Sequence, residues 1–320
     1  MRKTTKMWLI IAASLVFAGC IIIGSVMGVL NWDFAKLSLN KYETNKHEVF
    51  DNFSAISMNT DTADITFAPS ENGSCSVVCY EQEKVTHSVF VKEDTLVIKV
   101  VDSRKWYEYI GINFGKPKIT VYLPKTDYTG LAIKEDTGDV VMPQGFRFEN
   151  VDVALSTGDV YFSSSASGLV KIETSTGNIH MEKASAGALD LSASTGEITV
   201  SDIACEGDIN IQVSTGKTRL TNTVCNNLTA DGNTGDIFLE KTIAKGQLRI
   251  ERSTGDVKFD GCDAAEIAVK TDTGDVSGSL LTDKIFVTKT DTGRVDVPET
   301  MTGGKCKIET DTGNIKIKIA

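Results

Sequence analysis

The feature that most constrains the fold is a Thr-Gly pair that recurs every 19 or 20 residues through the C-terminal part of the chain. A fixed period of this length is typical of repeat proteins, in which each repeat stacks on the next. The register is unbroken over ten glycines: Gly138, Gly158, Gly177, Gly196, Gly216, Gly235, Gly255, Gly274, Gly293 and Gly313. The sequence therefore predicts about ten stacked coils.

Apolar and polar residues alternate around each Thr-Gly pair. Val or Ile stands two positions after nine of the ten glycines, with Thr218 as the exception, and the residues between apolar positions are mostly polar. Period-two alternation predicts strands with one buried face. Leucine-rich repeats have a similar period but need a Leu-x-x-Leu-x-Leu pattern, which is absent. The predicted fold is all-β: a single-chain β-solenoid, similar to a parallel β-helix, with coils of 19–20 residues.

The Thr-Gly pair itself is predicted to be a corner. Ser, Asp or Asn precedes every pair, and its side-chain oxygen can accept a hydrogen bond from a backbone N–H two residues on. The glycine can then adopt a positive φ, which a β-branched residue disfavours. We therefore assign the ten glycines a structural turn role.

The N-terminus carries a predicted membrane anchor. Residues 7–30 are uncharged, and 24 such residues exceed both the roughly 20 that span a bilayer and the core of a signal peptide. Arg2, Lys3 and Lys6 keep the short tail, residues 1–6, in the cytoplasm. A lipoprotein is the alternative, because "FAGC" ends at Cys20, but the apolar run continues for ten residues beyond it. We expect a single-pass signal anchor in the cell membrane, with an extracytoplasmic C-terminal domain.

Three further segments follow the anchor. Residues 31–44 are predicted to be a linker, 45–127 a β-rich N-terminal cap, and 128–320 the solenoid repeats. In the cap, "KEDT" indicates a hairpin loop, and "NTDTADITF" resembles a repeat with Ala63 in the glycine position. At the far end, Lys316 and Lys318 alternate with isoleucines on what is predicted to be the edge strand, where lysines discourage aggregation. A docking edge for another strand is the alternative.

The charge of the exported part excludes some partners. The chain has a net charge of −10, and removing the three N-terminal cations leaves −13. Such a surface does not attract nucleic acid or anionic lipid. We therefore expect no nucleic-acid partner, and we do not expect the exported body to lie flat on its membrane.

The order of these motifs resembles a known family. An anchor is followed by Phe53 and Ile56, by "ITVYLP" at residues 119–124, and by repeated "TGDV", "TGDI" and "TGNI". From about residue 45 to 320 this is similar to the bacterial cell-envelope family called putative adhesin, a domain of unknown function. The resemblance implies an exported β-solenoid, often found near envelope-stress regulators. It implies no catalytic residues, because the family has none assigned.

One group of residues is a candidate metal site. Asp236, Asp256 and Asp275 follow the glycines of successive coils, so their carboxylates are predicted to be about 5 Å apart. Calcium binds such oxygen ligands, and a solvated polar stripe is the alternative. No other cofactor is expected. The histidines, His47, His87 and His180, are scattered, with no cysteine or carboxylate at metal-binding spacing.

Two cysteines are predicted to stack. Cys205 and Cys225 each lie nine residues after a Thr-Gly pair, on adjacent coils. The expected Cα separation, about 5 Å, permits a disulfide, but the Cβ atoms of in-register strands are slightly too far apart for one. Stacked reduced thiols are favoured, and the disulfide stays an alternative.

The repeats give little support to an enzyme. Trp8, Trp32 and Trp106 all precede them, and the loops between coils are uniformly short, which leaves little to build a cleft with sugar platforms. The predicted function is a non-catalytic, adhesin-like binding or scaffold protein of the bacterial envelope, with a cell-wall polymer or an envelope protein as partner. The alternatives are an envelope-stress sensor ectodomain acting with a membrane partner, and an envelope glycan-processing enzyme. The oligomeric state is left open.

Overall fold

The computed structural model describes residues 3–32, 41–109 and 115–320. One long helix, α1 (Lys3–Val29), precedes 26 strands that join in a single sheet. The strands before the Thr-Gly repeats are β1 (Tyr42–Val49), β2 (Ala55–Thr62), β3 (Asp64–Pro69), β4 (Cys75–Gln82), β5 (Val85–Lys92), β6 (Thr95–Asp102) and β7 (Lys118–Leu123). The repeat strands are β8 (Asp127–Thr137), β9 (Val140–Met142), β10 (Arg147–Thr157), β11 (Val160–Phe162), β12 (Ser165–Ala166), β13 (Leu169–Thr176), β14 (Ile179–Ala186), β15 (Ala188–Thr195), β16 (Ile198–Cys205), β17 (Ile209–Thr215), β18 (Thr218–Cys225), β19 (Leu228–Thr234), β20 (Ile237–Thr254), β21 (Val257–Thr273), β22 (Val276–Leu280), β23 (Lys284–Thr292), β24 (Val295–Asp296), β25 (Gly304–Thr312) and β26 (Ile315–Ile319).

Helix α1 contains a segment, Thr5–Val29, that is long and apolar enough to cross a membrane. Within the described ranges it is the one helix that meets this test. Its length and position are compatible with a single-pass anchor or with a signal sequence.

The predicted β-solenoid is confirmed, and each coil has three faces. A long strand leads to the Thr-Gly corner, a short strand follows it, and a second corner starts the third face. That second corner lies at Lys183 in β14, where φ is +50°, and Asp202 takes the same position one coil on, with φ of +54°. Adjacent coils pair in parallel and in register, so that Ile172 faces Leu191. Like side chains thereby form the buried columns of one continuous core.

Two additional coils precede the ten that carry Thr-Gly. Strands β2 and β3 form one of them, with Ala63 at its corner, and Thr62 pairs with Thr137 of the first repeat. Strands β6 and β7 form the other, which lies on the opposite side of β2 and β3. The β2–β3 coil is therefore inserted between two coils that come later in the chain.

Antiparallel strands cover the outer N-terminal coil. Strand β5 pairs with β6, β4 pairs with β7, and β1 pairs with β4. Glu93 and Asp94 form the β5–β6 hairpin turn that "KEDT" indicates, with φ of +49° and +61°. A layer of opposite strand direction thus closes this end of the parallel array.

The prediction that the last strand is the edge strand is wrong. Strand β25 lies between β21 and β23, and β26 lies between β22 and β24. The final coil is therefore inserted before the penultimate one, and Lys316 and Lys318 are on an interior strand. In the part of the chain that the structure describes, β23 and β24 form the open edge, because each pairs on one side only.

The inward column agrees with this order at one position. Ile308, Ile315 and Ile317 of the final coil are at most 4% exposed. The Gly293 coil has Thr288 at the position where the final coil has Ile308. The outermost coil therefore leaves a threonine, rather than an isoleucine, without a neighbour at this position.

Candidate functional site

A surface groove crosses the third face of the first repeat coils. Its cavity volume is about 620 Å³. The lining combines polar and apolar side chains over successive coils: Asp127, Tyr128, Thr129, Arg147, Phe148, Glu149, Ser165, Ala166, Ser167, Ser185, Ala186, Gly187 and Glu206. The groove forms on the surface of coils whose connecting loops are short.

Side-chain size shapes the groove from below. The inward column on this face starts with Tyr128 and Phe148, which stack with ring centroids 5.7 Å apart. It continues with Ala166, which pairs with Phe148, and Ala186 lines the groove further on. Because both aromatic rings are buried, they fill the core below the groove and offer no exposed platform to a ligand.

The outward column supplies the polar groups. Asp127, Arg147 and Ser165 occupy equivalent positions on three successive coils. Arg147 Nε donates to Asp127 Oδ1 at 2.5 Å, and both side chains are more than 70% exposed. Ser165 Oγ accepts from the backbone N–H of Ser185 at 3.1 Å. A carboxylate, a guanidinium and a hydroxyl therefore follow one another at the spacing of the coils, which suits an extended ligand with polar groups.

The ten Thr-Gly glycines lie in one column and have φ between +129° and +159°. A Cβ at Gly216 would be 1.8 Å from the carbonyl oxygen of Gly196, and the other nine positions are similarly crowded. The column is therefore closed to side chains by contact between coils as well as by φ. Gly313 contacts Gly274, and Gly293 contacts Gly313, in agreement with the inserted final coil.

The three candidate aspartates form a hydrogen-bonded ladder. Oδ1 of Asp236 accepts from the N–H of Asp256 at 3.1 Å, and Oδ1 of Asp256 accepts from the N–H of Asp275 at 2.8 Å. Asp275 accepts in the same way from Asn314 at 2.7 Å. Each side chain therefore satisfies the corner of the next coil. Calcium binding stays a prediction, and it would use the second oxygen of each carboxylate.

The structure brings together a different group of potential ligands. The donor atoms of Cys79, Glu81 and His87 lie within 4.8 Å of one another, and all three residues are buried. The interpretation that no histidine has a cysteine or carboxylate at metal-binding spacing is therefore wrong for His87. Cys79 and Glu81 are two residues apart on β4, and a hairpin turn follows them before His87. This spacing was the sequence signal for the group.

The geometry of this group is that of a hydrogen-bonded network. Glu81 Oε2 is 2.7 Å from His87 Nδ1 and accepts from the His87 backbone N–H at 2.7 Å, while Asn45 Nδ2 donates to Oε1 at 2.8 Å. The oxygen and nitrogen ligands of one tetrahedral zinc ion, each bound at about 2.0–2.1 Å, would be about 3.3 Å from each other. The 2.7 Å separation of Glu81 Oε2 and His87 Nδ1 is shorter than this and fits a hydrogen bond. Burial, reinforced by Glu81, raises the pKa of the Cys79 thiol to about 12, so this thiol is protonated at neutral pH.

Cys205 and Cys225 lie on adjacent coils, and both are buried and unbonded. Cys205 follows Ala204, which pairs with Val224, so the two thiols belong to one column. Burial raises the pKa of Cys225 to about 12 and also raises that of Cys205. Stacking of reduced thiols stays our prediction for this pair.

Among the buried charged residues that sequence reasoning missed, Arg252 and Glu135 lie outside the groups described above. Arg252 is 3% exposed, and its guanidinium donates to the Val213 carbonyl at 2.8 Å and to Thr218 Oγ1 at 2.9 Å. It occupies space left by Gly232, where a Cβ would be 2.0 Å from Arg252 Nη1. Burial lowers the pKa of Arg252. Thr218, the one exception in its column, was the sequence signal for this contact.

Glu135 is the second of these two residues. It is 1% exposed, and its Oε1 accepts from the Ala63 N–H at 2.9 Å, while Oε2 has no hydrogen-bond partner. Burial, with smaller contributions from Asp61 and Asp136, raises the pKa of Glu135 to about 8. The carboxyl is therefore mostly protonated at neutral pH.

These features define a β-solenoid protein with a surface groove across successive coils. The chain belongs to the Toastrack DUF4097 family, whose model matches residues 53–318, and the resemblance noted from the motifs is thereby confirmed. No curated protein matches the sequence.

Solved structures from bacteria are similar to this chain. A putative adhesin from Parabacteroides distasonis ATCC 8503 is 14% identical, with 87% of this chain and 98% of that chain covered and a TM-score of 0.50. A putative adhesin from Bacteroides fragilis NCTC 9343 is 18% identical over 87% and 97% of the chains, with a TM-score of 0.37. A putative lipid binding protein from Parabacteroides distasonis ATCC 8503 is 15% identical over 75% and 98%, with a TM-score of 0.49. The first supports the fold alone, and the scores of the other two are too low to carry an argument.

Proposed function

We propose that the chain is a membrane-anchored, extracytoplasmic protein of the bacterial envelope that binds an extended cell-wall polymer without modifying it. The observation that carries this proposal is the groove, because each of its successive coils presents a polar side chain along it. A repeating polymer can contact several coils at once, and many weak contacts then add to a useful affinity. The long apolar helix α1 supports the anchor, with the N-terminus in the cytoplasm.

The chemistry of the groove favours a carbohydrate-containing ligand. Ser165, Ser167 and Ser185 offer hydroxyls that donate and accept, and Glu149 and Glu206 offer acceptors for sugar hydroxyls or for ammonium groups. We assign no catalytic residue. A glycoside hydrolase would require two carboxylates at a set separation across a bound sugar, and the aromatic rings beneath the groove are buried.

The test is co-sedimentation of the full chain, in detergent micelles, with isolated cell-wall sacculi. Ser185→Trp fills the groove from an exposed strand position. The matched control is Ser192→Trp, because Ser192 is on the strand of a different face and does not line the groove. We expect Ser185→Trp to lose binding and Ser192→Trp to keep it. Equal binding by both variants would exclude the groove as the site.

A further inference from the structure

An aromatic tip projects from the N-terminal end of the solenoid. It consists of Arg104, Lys105, Trp106, Tyr107 and Tyr109, on and beside a short 3-10 helix that follows β6. Trp106 is 79% exposed, Tyr107 49% and Tyr109 57%. Three adjacent aromatic side chains at this exposure are unusual on a soluble surface and indicate an interaction site.

The tip is held in a defined conformation. The Arg104 guanidinium lies 4.3 Å from the Tyr109 ring centroid, and the Tyr109 hydroxyl donates to Asp102 Oδ2 at 3.0 Å. Trp106 and Tyr107 pack edge to face with ring centroids 5.9 Å apart. An ordered tip loses little conformational entropy on binding.

The composition of the tip matches the headgroup region of a membrane. Trp and Tyr concentrate at membrane–water interfaces because each combines an apolar ring with a polar group. Residues 102–118 contain four cations and two carboxylates, a net charge of +2, whereas the exported part as a whole carries −13. The segment that carries the tip is therefore attractive to anionic lipid, although the exported part as a whole is not.

The chain connection places the tip near a membrane. Val29 ends α1 and Tyr42 starts β1, so the chain between these two residues spans at most about 47 Å. Tyr42 belongs to the same end of the molecule as the tip segment, because its hydroxyl donates to the Gly115 carbonyl at 3.2 Å. The aromatic tip therefore lies on the end of the solenoid that the anchor tethers.

We propose that the aromatic tip inserts into the headgroup region of the membrane that holds α1, so that the solenoid stands end-on with its open C-terminal edge pointing away. This inference rests on the membrane anchor of the proposed function. It also accounts for a strongly acidic body on a tethered protein, because only the net-positive segment 102–118 touches lipid.

The test uses tryptophan quenching by brominated lipids in the reconstituted full chain. The chain has three tryptophans, Trp8, Trp32 and Trp106. Trp8→Phe with Trp32→Phe leaves Trp106 as the reporter of the tip. We expect its emission to shift to the blue on reconstitution and to be lost most strongly with bromines close to the headgroup. The loss of Trp106 emission should be larger in vesicles that contain anionic lipid than in vesicles without it.

Two controls separate the possible failures. Trp32→Phe with Trp106→Phe leaves Trp8 inside α1, and quenching of Trp8 reports the anchor itself. Val287→Trp, with the three native tryptophans replaced by Phe, places the reporter on the open edge, where Val287 is 46% exposed. Quenched Trp8 with unquenched Trp106 would overturn the tip proposal and leave the anchor intact. Unquenched Trp8 would overturn the anchor, and quenching at position 287 would show that the solenoid lies flat.

Discussion

The backbone N–H of Asn314 donates a 2.7 Å hydrogen bond to Oδ1 of Asp275, 39 residues away along the chain. One step earlier in the same ladder, the N–H of Asp275 reaches Asp256 over only 19 residues. The doubled separation records the insertion of the final coil before the penultimate one. The C-terminal strand is thereby paired on both sides, and the Gly293 coil becomes the exposed end.

This order of coils can be tested by stability. Ile315 is fully buried and Val295 is 44% exposed, whereas stacking in chain order would bury Val295 and expose Ile315. We expect Ile315→Ala to lower the free energy of unfolding by about 2–5 kcal/mol and Val295→Ala by less than about 1 kcal/mol. Denaturant unfolding gives both values, and the reverse ranking would contradict the insertion. Amide hydrogen exchange should also be slower in β26 than in β23.

A buried ion pair spans the inserted coil. Lys284 Nζ lies 2.6 Å from Asp263 Oδ1, and the side chains are 4% and 17% exposed. Gly304, the pairing partner of Lys284, leaves room for this contact. Because a buried charge without its partner is costly, we expect Asp263→Ala to destabilise by about 3–5 kcal/mol. The exposed pair of Lys316 and Asp296 is the control, and its loss should cost less than about 1 kcal/mol. Similar costs for both pairs would be inconsistent with the burial of Lys284.

The glycine column can be tested at one position. In Gly216→Ala the new Cβ would be 1.8 Å from the Gly196 carbonyl oxygen, at a φ of +145°. We expect a loss of more than about 1 kcal/mol in the free energy of unfolding. Gly130→Ala is the control, because its Cβ would be 4.0 Å from the nearest atom. An unchanged stability of Gly216→Ala would show that the corner relaxes easily.

Glu135 predicts a dependence of stability on pH. Its pKa is raised from 4.5 to about 8, so the folded state holds a proton that the unfolded state has released between these values. The contribution of Glu135 to stability is therefore fully present below about pH 4.5 and is lost as pH rises through about 8. The free energy of unfolding falls by at most about 1.4 kcal/mol per pH unit in this range. Glu135→Gln removes this contribution. The stability difference between the variant and the wild type should grow in favour of the variant from pH 5 to pH 8, and a constant difference would refute the assignment.

The aspartate ladder separates a hydrogen-bonding role from calcium binding. Asp256→Asn keeps the acceptor for the Asp275 N–H, whereas Asp256→Ala removes it. We expect the alanine variant to lose about 1 kcal/mol and the asparagine variant almost nothing. Each variant is measured with calcium and with a chelator. If the carboxylates hold calcium, the chelator lowers the stability of the wild type but does not change the stability of Asp256→Asn.

The sequence was sufficient for the architecture because each coil repeats the same local pattern. Thr-Gly spacing and alternation predict the coils, and Ala63 indicates that one coil precedes the repeats. The same regularity hides the stacking order, since "TDTGDV", "TDTGRV" and "TDTGNI" present equivalent surfaces to any neighbour. The groove was hidden for a related reason. It depends on the size of inward residues such as Phe148 and Ala166 on the third face, and no motif marks that face.

The central claim is that the protein binds an envelope polymer and does not cleave it. The most direct measurement incubates the full chain with isolated sacculi and assays co-sedimented protein and released sugar in the same tube. The account predicts that the protein pellets with the sacculi and that no sugar appears in the supernatant. Release of sugar would contradict the non-catalytic assignment, and protein that stays in the supernatant would contradict polymer binding.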